Sequence, residues 1–240
     1  MSRPAMDAAA WDARYAGAEL VWSAGPNVWV RELCARMPPG VALDVAAGEG
    51  RNALWLVEQG WSVVAADFSV VGVERMTEIA DRRLGERRSA FTAVVADATQ
   101  PAPRPPSDLV VGLGGESPPS SHPVAGLAAD AGGDGPAYDL VLISYLHLPR
   151  AQWGEALAAA VRGTVGGGAV LVVAHAVRNL TEGVGGPQDA TILLDPVDVI
   201  ASAAALPVDV ELAQLRRRDV EGSDRPALDT VVLFRVRADG

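Results

Sequence analysis

Residues 41–68 constrain the fold of this chain more than any other stretch of the sequence. They open with an apolar run that ends at Ala46 and is followed by the turn Gly48-Glu49-Gly50. A helical pattern then continues to Gly60, and a second apolar run ends in Asp67. A short buried strand, a turn, a helix and a second strand in this order predict a βαβ unit.

The turn and the final acid of this unit suit a ligand that contains a ribose. Gly48 and Gly50 let the backbone approach a ligand without an intervening Cβ atom, and the free amides of the following helix point toward it. Asp67 follows Gly48 by 19 residues, the separation expected of a carboxylate that binds ribose hydroxyls in a βαβ unit. The sequence therefore predicts a nucleotide-cofactor site.

Strand and helix patterns alternate along the rest of the chain. Unbroken runs of Val, Leu and Ile separated by helical spacing are typical of a parallel sheet covered on both faces. The last two apolar runs have no helix between them and should close the sheet as an antiparallel hairpin. We therefore predict a doubly wound α/β fold with a mostly parallel seven-stranded sheet and helices on both faces. Beyond the opening unit, the predicted strands are 91–96, 138–144, 169–174, 208–215 and 230–236, and the predicted helices include 70–84, 152–165 and 195–205.

Composition limits the class of protein. The 240 residues are 49% hydrophobic, enough for a full core, and we interpret 1–240 as a single domain. A net charge of −10 opposes binding to nucleic acid, and the single cysteine, Cys34, excludes an intrachain disulfide framework or a cysteine-based metal cluster. No apolar stretch has the length of a membrane span, and acids stand where a signal peptide would be apolar. We expect a cytoplasmic protein without a nucleic-acid, membrane or metal partner; composition does not indicate its oligomeric state.

Residues 101–137 interrupt the alternation of strands and helices. Fifteen of these 37 residues are Pro or Gly, a share typical of irregular segments. One interpretation is an inserted linker between the third and fourth strands, and the other is a lid with Val110, Val111 and Leu127 as small apolar anchors. Nothing in the segment has recognisable site chemistry, and we assign no role to His122.

Large aromatic residues are concentrated ahead of the first strand. In a chain with 12 aromatic residues, four fall within the first 30 positions: Trp11, Tyr15, Trp22 and Trp29. Trp11 and Tyr15 share a helix face, so they could dock that helix on the sheet. Alternatively, the rings and Asn27 close over a ligand, and the two interpretations are compatible. We predict that residues 1–40 form an N-terminal helical cover.

Four segments resemble a known protein family. LDVAAGEGRNALWL, VVAADFS, YDLVLISYLHLP and GGGAVLVVAH are similar to motifs of the class I S-adenosylmethionine-dependent methyltransferases. The opening WDARYA, the GEGRNA string and the HLP string resemble the tellurite-resistance-type branch, whose small members are bacterial. The likeness covers nearly the whole chain apart from 101–137. It implies the class I methyltransferase fold, S-adenosylmethionine as cofactor and methyl transfer to a small-molecule acceptor.

The resemblance implies that the first motif holds the methionine part of the cofactor. Asp44 and the turn residues Ala46, Gly48 and Gly50 would line that part. The family usually has Gly in place of Ala46, and we expect Ala to be tolerated there with a negative φ. Asn52 is better interpreted as a capping residue of the following helix than as a ligand.

The same resemblance implies contacts for the rest of the cofactor. Asp67 would hold the ribose hydroxyls, Phe68 would lie along the adenine, and Asp97 with Ala98 would meet the adenine amino edge. Ser144 would sit beside the transferable methyl group. Asp97, like the acid of the first motif, could instead be a turn residue satisfied by local amides.

Two of the three histidines fall just past predicted strands. His147 and His175 follow the fourth and fifth strands, at the edge where open parallel sheets bind ligands, although either could be an ordinary core or loop residue. If the acceptor must lose a proton, His147 is the best available general base, with Tyr145 as a hydrogen-bonding neighbour and His175 on the acceptor side. An acceptor that is already anionic needs no base.

Two other functions remain open. Residues 48–53 satisfy the G-x-G-x-x-A pattern of a dinucleotide-dependent oxidoreductase. The acid Asp44 before the glycines, the third acid Asp97 and the final hairpin are not required by a dinucleotide site. The other alternative is a methyltransferase-like protein that binds the cofactor without turnover.

Overall fold

The computed structural model describes residues 8–16, 25–107, 109 and 137–238, and within them strands and helices alternate. The strands are β1 (Val41–Val45), β2 (Ser62–Asp67), β3 (Phe91–Val95), β4 (Tyr138–Ser144), β5 (Thr164–His175), β6 (Val208–Arg218) and β7 (Ala227–Val236). The helices are α1 (Ala8–Tyr15), α2 (Val28–Cys34), α3 (Arg51–Glu58), α4 (Val70–Arg83), α5 (Arg150–Gly163), α6 (Asn179–Glu182) and α7 (Pro196–Ser202), with 3₁₀ turns at Gly85–Ala90 and Ala190–Ile192.

The seven strands form one sheet in the order β3-β2-β1-β4-β5-β7-β6. Strands β1 to β5 pair in parallel, whereas β7 pairs antiparallel with both β5 and β6. The predicted doubly wound, mostly parallel sheet with an antiparallel C-terminal hairpin is confirmed. Because the strand order reverses between β1 and β4, the carboxyl ends of these strands flank the position where such sheets bind ligands.

Helices cover both faces of the sheet because the central strands are apolar on both sides. In β4, Leu140 and Leu142 pack on the face that carries α2, α3 and α4. The alternate residues Val141 and Ile143 pack on the opposite face, against α5 and α7. This double burial explains why the predicted strands are continuous apolar runs. Among the described residues, no helix has the length and apolarity needed to span a membrane.

The C-terminal strands extend further than the sequence predicts. The ladder pairs Arg216 with Asp229 and Arg218 with Ala227, so residues expected to form a polar turn belong to β6 and β7. The prediction of a turn over 216–229 is wrong at both ends. The strands continue through these charged residues because the buried Asp229 carboxylate accepts a hydrogen bond from Arg218, with Nε and Oδ2 2.7 Å apart. The two charges therefore compensate each other within the sheet.

The described part of 101–137 packs against the sheet. Leu109 is buried in the core on the α5 face, and the Tyr138 hydroxyl donates a hydrogen bond to the carbonyl oxygen of Pro103. These contacts attach the start of the insertion to β4 and its core. The proposed anchors, Val110, Val111 and Leu127, lie outside the described residues, so the choice between linker and lid remains a prediction.

Candidate functional site

A cavity of about 360 Å³ lies at the carboxyl edge of the sheet, beside the reversal of strand order. Its walls come from α1 and from the segments that follow β1, β2, β3 and β4. The wall residues that were predicted from sequence are Trp11, Tyr15, Ala46, Gly48, Asp67, Phe68, Asp97, Ala98, Ser144, Tyr145 and His147. Four other predicted residues, Asp44, Gly50, Asn27 and His175, lie outside the walls, and Trp22 lies outside the described residues.

The turn after β1 adopts positive φ at alternate residues. The φ angle is 56° at Ala46, 59° at Gly48 and 80° at Gly50. The Ala47 amide donates to the Ala66 carbonyl at 3.0 Å, which fixes the turn against the end of β2. The expectation of a negative φ at Ala46 is therefore wrong. A left-handed conformation costs a residue with a Cβ atom roughly 1 to 2 kcal/mol, so tertiary contacts must maintain it.

Asp67, the last residue of β2, closes this turn from the other side. Its Oδ2 accepts the Gly48 N–H at 2.8 Å, and its Oδ1 accepts the Ser69 N–H at 2.9 Å. Burial raises the pKa of Asp67, and the N–H groups of Ser69, Gly48 and Phe68 oppose that increase. Since a carboxylate oxygen has two acceptor positions, each oxygen can still accept a hydroxyl hydrogen bond from a ligand.

Asp44 lies within β1 and is fully buried. Neither carboxylate oxygen has a hydrogen-bond partner among the described residues. Burial raises the pKa of Asp44 to about 7, and the neighbouring Ala53 amide and Arg51 guanidinium only partly oppose the increase. The carboxyl group therefore titrates near neutral pH, behind the cavity wall rather than in it.

The segment after β3 contributes a polar turn to the wall. The Oδ1 atom of Asp97 accepts hydrogen bonds from the N–H and the hydroxyl of Thr99, both at 2.8 Å. Asp97 is thus a turn acid, as the alternative interpretation held, and it also lines the cavity together with Ala98. Phe68 faces the same cavity and is 39% exposed, which leaves its ring available to a flat ligand.

The end of β4 forms the opposite wall. The Ser144 hydroxyl oxygen is buried and has no hydrogen-bond partner among the described residues. Tyr145 follows with a φ of 56°, and its N–H donates to the Val173 carbonyl at 2.8 Å. This left-handed residue leads the chain into Leu146, His147 and Leu148, all of which line the cavity.

His147 is a neutral and weakly basic wall residue. Its Nε2 atom is enclosed without a hydrogen-bond partner among the described residues. Burial lowers the pKa of His147 to about 4, with further contributions from His175 and Arg14. The imidazole is therefore unprotonated at neutral pH, which leaves it able to accept a proton but only as a weak base.

Tyr145 is a hydrogen-bond donor in this site, although not toward His147. Its hydroxyl donates to Asp229 with an Oη to Oδ2 distance of 3.0 Å. Burial raises the pKa of Tyr145, and the Asp229 carboxylate raises it further. Asp229 was missed by sequence reasoning; the signal available was an acidic residue inside the apolar run 227–236.

The N-terminal helix docks on the sheet and also lines the cavity. The rings of Trp11 and Tyr15 stack with centroids 5.4 Å apart. Tyr15 is buried against Gly72 in α4, where an added Cβ atom would lie 3.3 Å from the ring. The Ser69 hydroxyl donates a hydrogen bond to the carboxylate of Asp12. The docking interpretation of Trp11 and Tyr15 is therefore supported, and their closure over a ligand stays a prediction.

Asn27, behind the wall, and Asn52, in it, form a buried amide pair. Asn27 caps α2, because its Oδ1 accepts the Trp29 N–H at 2.8 Å. The Asn27 N–H donates to the Oδ1 of Asn52 at 2.9 Å. The expectation that Asn52 caps α3 is wrong, since its amide oxygen serves α2 instead, and Asn52 lines the cavity. Ala47, within the turn expected to line the methionine part of the cofactor, is also in the wall. Other wall residues that sequence reasoning left without a site role are Arg51, Ala96, Thr99, Leu146, Leu148 and Gln152.

Several solved structures have a fold similar to that of this chain. A structure from work on the conversion of a disulfide bond into a thioacetal group during echinomycin biosynthesis is 17% identical, covers 97% of this chain and 93% of that chain, and has a TM-score of 0.64. The glycopeptide N-methyltransferase MtfA complexed with S-adenosyl-L-methionine is 18% identical, covers 88% of this chain and 86% of its own, and has a TM-score of 0.60. The chain has the class I methyltransferase fold. TehB from Haemophilus influenzae is 13% identical, the match covers 95% of this chain and 66% of TehB, and the TM-score is 0.59.

The TM-scores establish the shared fold, and fold alone does not determine activity. No protein-family model matches the sequence, and no curated protein matches it significantly.

Proposed function

We propose that this protein binds S-adenosylmethionine and transfers its methyl group to a small-molecule acceptor. One observation carries the proposal: the Gly48 turn and the Asp67 carboxylate are hydrogen-bonded to each other in the wall of a cavity at the switch point of a class I methyltransferase fold. A small molecule is the expected acceptor because a net charge of −10 disfavours nucleic acid.

The side chains of the cavity fit this cofactor on two counts. Asp67 keeps acceptor positions on both oxygens, as two ribose hydroxyls require. The buried Ser144 hydroxyl lacks a partner among the described residues, so a bound ligand at that end of the cavity could supply one. Phe68 would then lie along the adenine, with Asp97 and Ala98 at its amino edge.

The cofactor supplies an electrophilic methyl group, so the protein has to align and desolvate a nucleophile. Leu146, Leu148 and Trp11 add apolar surface to the cavity, which would reduce the water around a bound acceptor. His147 stays unprotonated at neutral pH because burial holds its pKa near 4. Such a weak base favours acceptors that ionise readily, including thiols, acidic phenols and oxyanions. The resemblance to the tellurite-resistance-type branch adds tellurium and selenium oxyanions to this set.

The oxidoreductase alternative has less support. Dinucleotide-binding sheets of the doubly wound type have the order 3-2-1-4-5-6 in a mostly parallel sheet. Here β7 is inserted antiparallel between β5 and β6. Titration with a nicotinamide dinucleotide, followed by absorbance and fluorescence, should give no saturable signal.

Calorimetric titration with S-adenosylmethionine tests the proposal directly. Hydrogen bonds to a charged acceptor contribute roughly 1.5 to 3 kcal/mol each, so Asp67→Ala should weaken binding by about tenfold or more. The matched control is Asp81→Ala, which removes an exposed acid from α4 and should leave the affinity unchanged. Absence of binding by the parent protein, or equal binding by the Asp67 variant, contradicts the proposal.

A second experiment addresses the acceptor. The protein is incubated with S-adenosylmethionine labelled on the methyl group and with a panel of thiols, phenols, amines and tellurium or selenium oxyanions. We expect labelled product with a readily ionised acceptor. Cofactor binding without product from any acceptor would favour a binding protein without turnover.

A further inference from the structure

One buried carboxylate behind the cavity wall receives donors from four segments of the chain. The Oδ2 atom of Asp229 accepts hydrogen bonds from Arg218 Nε at 2.7 Å, Trp29 Nε1 at 2.9 Å and the Tyr145 hydroxyl at 3.0 Å. Its Oδ1 atom accepts a hydrogen bond from Arg218 Nη2 at 3.4 Å. The same Oδ1 lies 3.5 Å from His175 Nδ1, close enough for an ion pair, although Nδ1 makes no hydrogen bond among the described residues. Asp229 thus joins α2 to the carboxyl ends of β4, β5 and β6.

These contacts require an ionised carboxylate. An acid that kept its proton, or an amide in its place, would present a donor to side chains that are themselves donors. Burial alone would raise the pKa of Asp229, but the nearby His175 imidazole and the hydrogen bonds and charge of Arg218 outweigh it and lower the pKa to about 2. The carboxylate therefore stays charged across the neutral range.

The network continues from Asp229 to the helix after the glycine turn. The Tyr145 hydroxyl, which donates to Asp229, accepts a hydrogen bond from Asn27 Nδ2 at 2.9 Å. The Asn27 N–H donates to Asn52 Oδ1, also at 2.9 Å, and Asn52 lies in α3 and in the cavity wall. A continuous chain of hydrogen bonds thus connects the C-terminal hairpin with both sides of the cavity.

Tyr145 has a conformation that non-glycine residues rarely keep, with a φ of 56°. Such a residue persists only where its surroundings over-determine it. The hydroxyl is held by Asp229 and Asn27, the His175 ring centroid lies 4.6 Å from that of the tyrosine, and the guanidinium carbon of Arg51 lies 5.9 Å from it. Because Tyr145 directly follows the Ser144 wall position, its conformation sets the course of the wall that follows.

The same carboxylate orients His175. Gly186 packs against the imidazole so closely that an added Cβ atom would lie 3.0 Å from its ring carbons. The ring also lies nearly parallel to that of His147, with centroids 6.0 Å apart and planes inclined by 14°. Because His175 Nδ1 faces the Asp229 carboxylate at 3.5 Å, a proton on Nδ1 is favoured over a lone pair there, so the carboxylate biases the ring toward the Nδ1–H tautomer.

We infer that Asp229 is a positioning residue of the methyl-transfer site, which fixes the strained Tyr145 turn and the His175 tautomer and thereby shapes the 144–148 wall around the reacting methyl group. The part that concerns the methyl group rests on the proposed function. The part that concerns the tautomer does not.

The test compares three variants with the parent protein. Asp229→Asn replaces the charged acceptor by an amide of the same shape, and Tyr145→Phe removes only the hydroxyl. The matched control, Glu211→Gln, removes an exposed acid of the same hairpin whose Oε1 lies 3.0 Å from Arg235 Nε. Nitrogen-15 spectra of the histidine rings report each tautomer, and the chain has only three histidines, of which His122 serves as a reference. We expect His175 in the Nδ1–H form in the parent and control, and a shift toward the Nε2–H form in Asp229→Asn.

The methyl site is probed with S-adenosylmethionine carrying carbon-13 in the methyl group. We expect the resonance of the bound methyl to move in Asp229→Asn and Tyr145→Phe but not in Glu211→Gln, while the cofactor Kd of all three stays within about threefold of the parent value. A moved methyl resonance with a nearly unchanged Kd indicates positioning, whereas a large increase in Kd would indicate damage to the binding site.

Two results overturn the inference: an unchanged His175 tautomer in Asp229→Asn, or a changed tautomer with an unmoved methyl resonance. If Asp229→Asn lacks the circular dichroism of the folded parent, Tyr145→Phe decides, and an unmoved resonance in that variant overturns the inference. If the parent does not bind the cofactor, the proposed function and the methyl part of the inference fail together, whereas the tautomer comparison still decides the role of Asp229 toward His175.

Discussion

The ionisation of Asp44 should make the stability of this protein depend on pH. The carboxyl group is fully buried, has no hydrogen-bond partner among the described residues and has a pKa raised by burial to about 7. In the unfolded chain it titrates at about 3.9. Between these two pKa values folding takes up a proton, so the contribution of Asp44 to stability decreases as the pH rises. Above the folded-state pKa the native protein carries a buried charge that the Ala53 amide and the Arg51 guanidinium compensate only in part.

Asp44→Asn removes this charge and keeps the shape of the side chain. A change of one in pKa corresponds to about 1.4 kcal/mol, so the Asp44 carboxyl destabilises the folded state by about 4 kcal/mol at pH 8, where it carries a buried charge. At pH 5, where folding must instead protonate it, the cost is on the order of 1.5 kcal/mol. We therefore expect the free energy of unfolding of the variant, relative to the parent, to increase by about 2.5 kcal/mol from pH 5 to pH 8. Urea titrations of the cofactor-free proteins at several pH values measure this difference.

The control for this experiment is Asp81→Asn, which removes an exposed acid paired with Arg88 on the surface. Its stability difference from the parent should stay nearly constant over the same pH range, because exposed pairs contribute little. If Asp44→Asn and the parent instead differ by the same free energy at pH 5 and pH 8, the Asp44 carboxylate is compensated in the folded state and its pKa is not raised.

Two further predictions concern the insertion and the histidine of the wall. Leu109→Ala should lower the free energy of unfolding by about 2 kcal/mol or more, because Leu109 is buried in the core on the α5 face. Urea titration measures this change, and an unchanged free energy of unfolding would show that the start of the insertion does not stabilise the core. If the acceptor must lose a proton, His147→Ala should reduce turnover by roughly 10²-fold, and the acidic limb of the parent pH profile should lie near the His147 pKa of about 4. A limb that persists in the variant would remove His147 from the mechanism.

The parts of the molecule that the sequence predicts are those set by contiguous residues. Each parallel strand is an apolar run because both of its faces are buried, and this pattern is visible without knowledge of any partner strand. The separation of Gly48 and Asp67 is likewise fixed by the length of one strand–turn–helix–strand unit. The structure joins these two residues by a hydrogen bond of 2.8 Å from the Gly48 N–H to the carboxylate.

The Asp229 network could not be predicted in the same way. Its members come from distant parts of the chain, and Trp29 and Asp229 are separated by 200 residues. No local periodicity connects them, so their contact follows only from the assembled sheet. The extension of β6 to Arg218 has the same origin, because the strand continues where Asp229 on β7 compensates the arginine.

The two strained residues of the site lie at positions that the sequence locates but whose backbone conformation depends on long-range contacts. Ala46 and Tyr145 each follow the last residue of a strand, β1 and β4, and those strands are neighbours with Val45 beside Ile143. Backbone energy alone would favour glycine at both positions, because a left-handed φ costs a residue with a Cβ atom roughly 1 to 2 kcal/mol. At Tyr145 the hydroxyl contacts with Asp229 and Asn27 offset this cost, and those contacts are long-range. The backbone geometry at the switch point is therefore determined by tertiary contacts rather than by local propensity, which is why the sequence locates the site but not its shape.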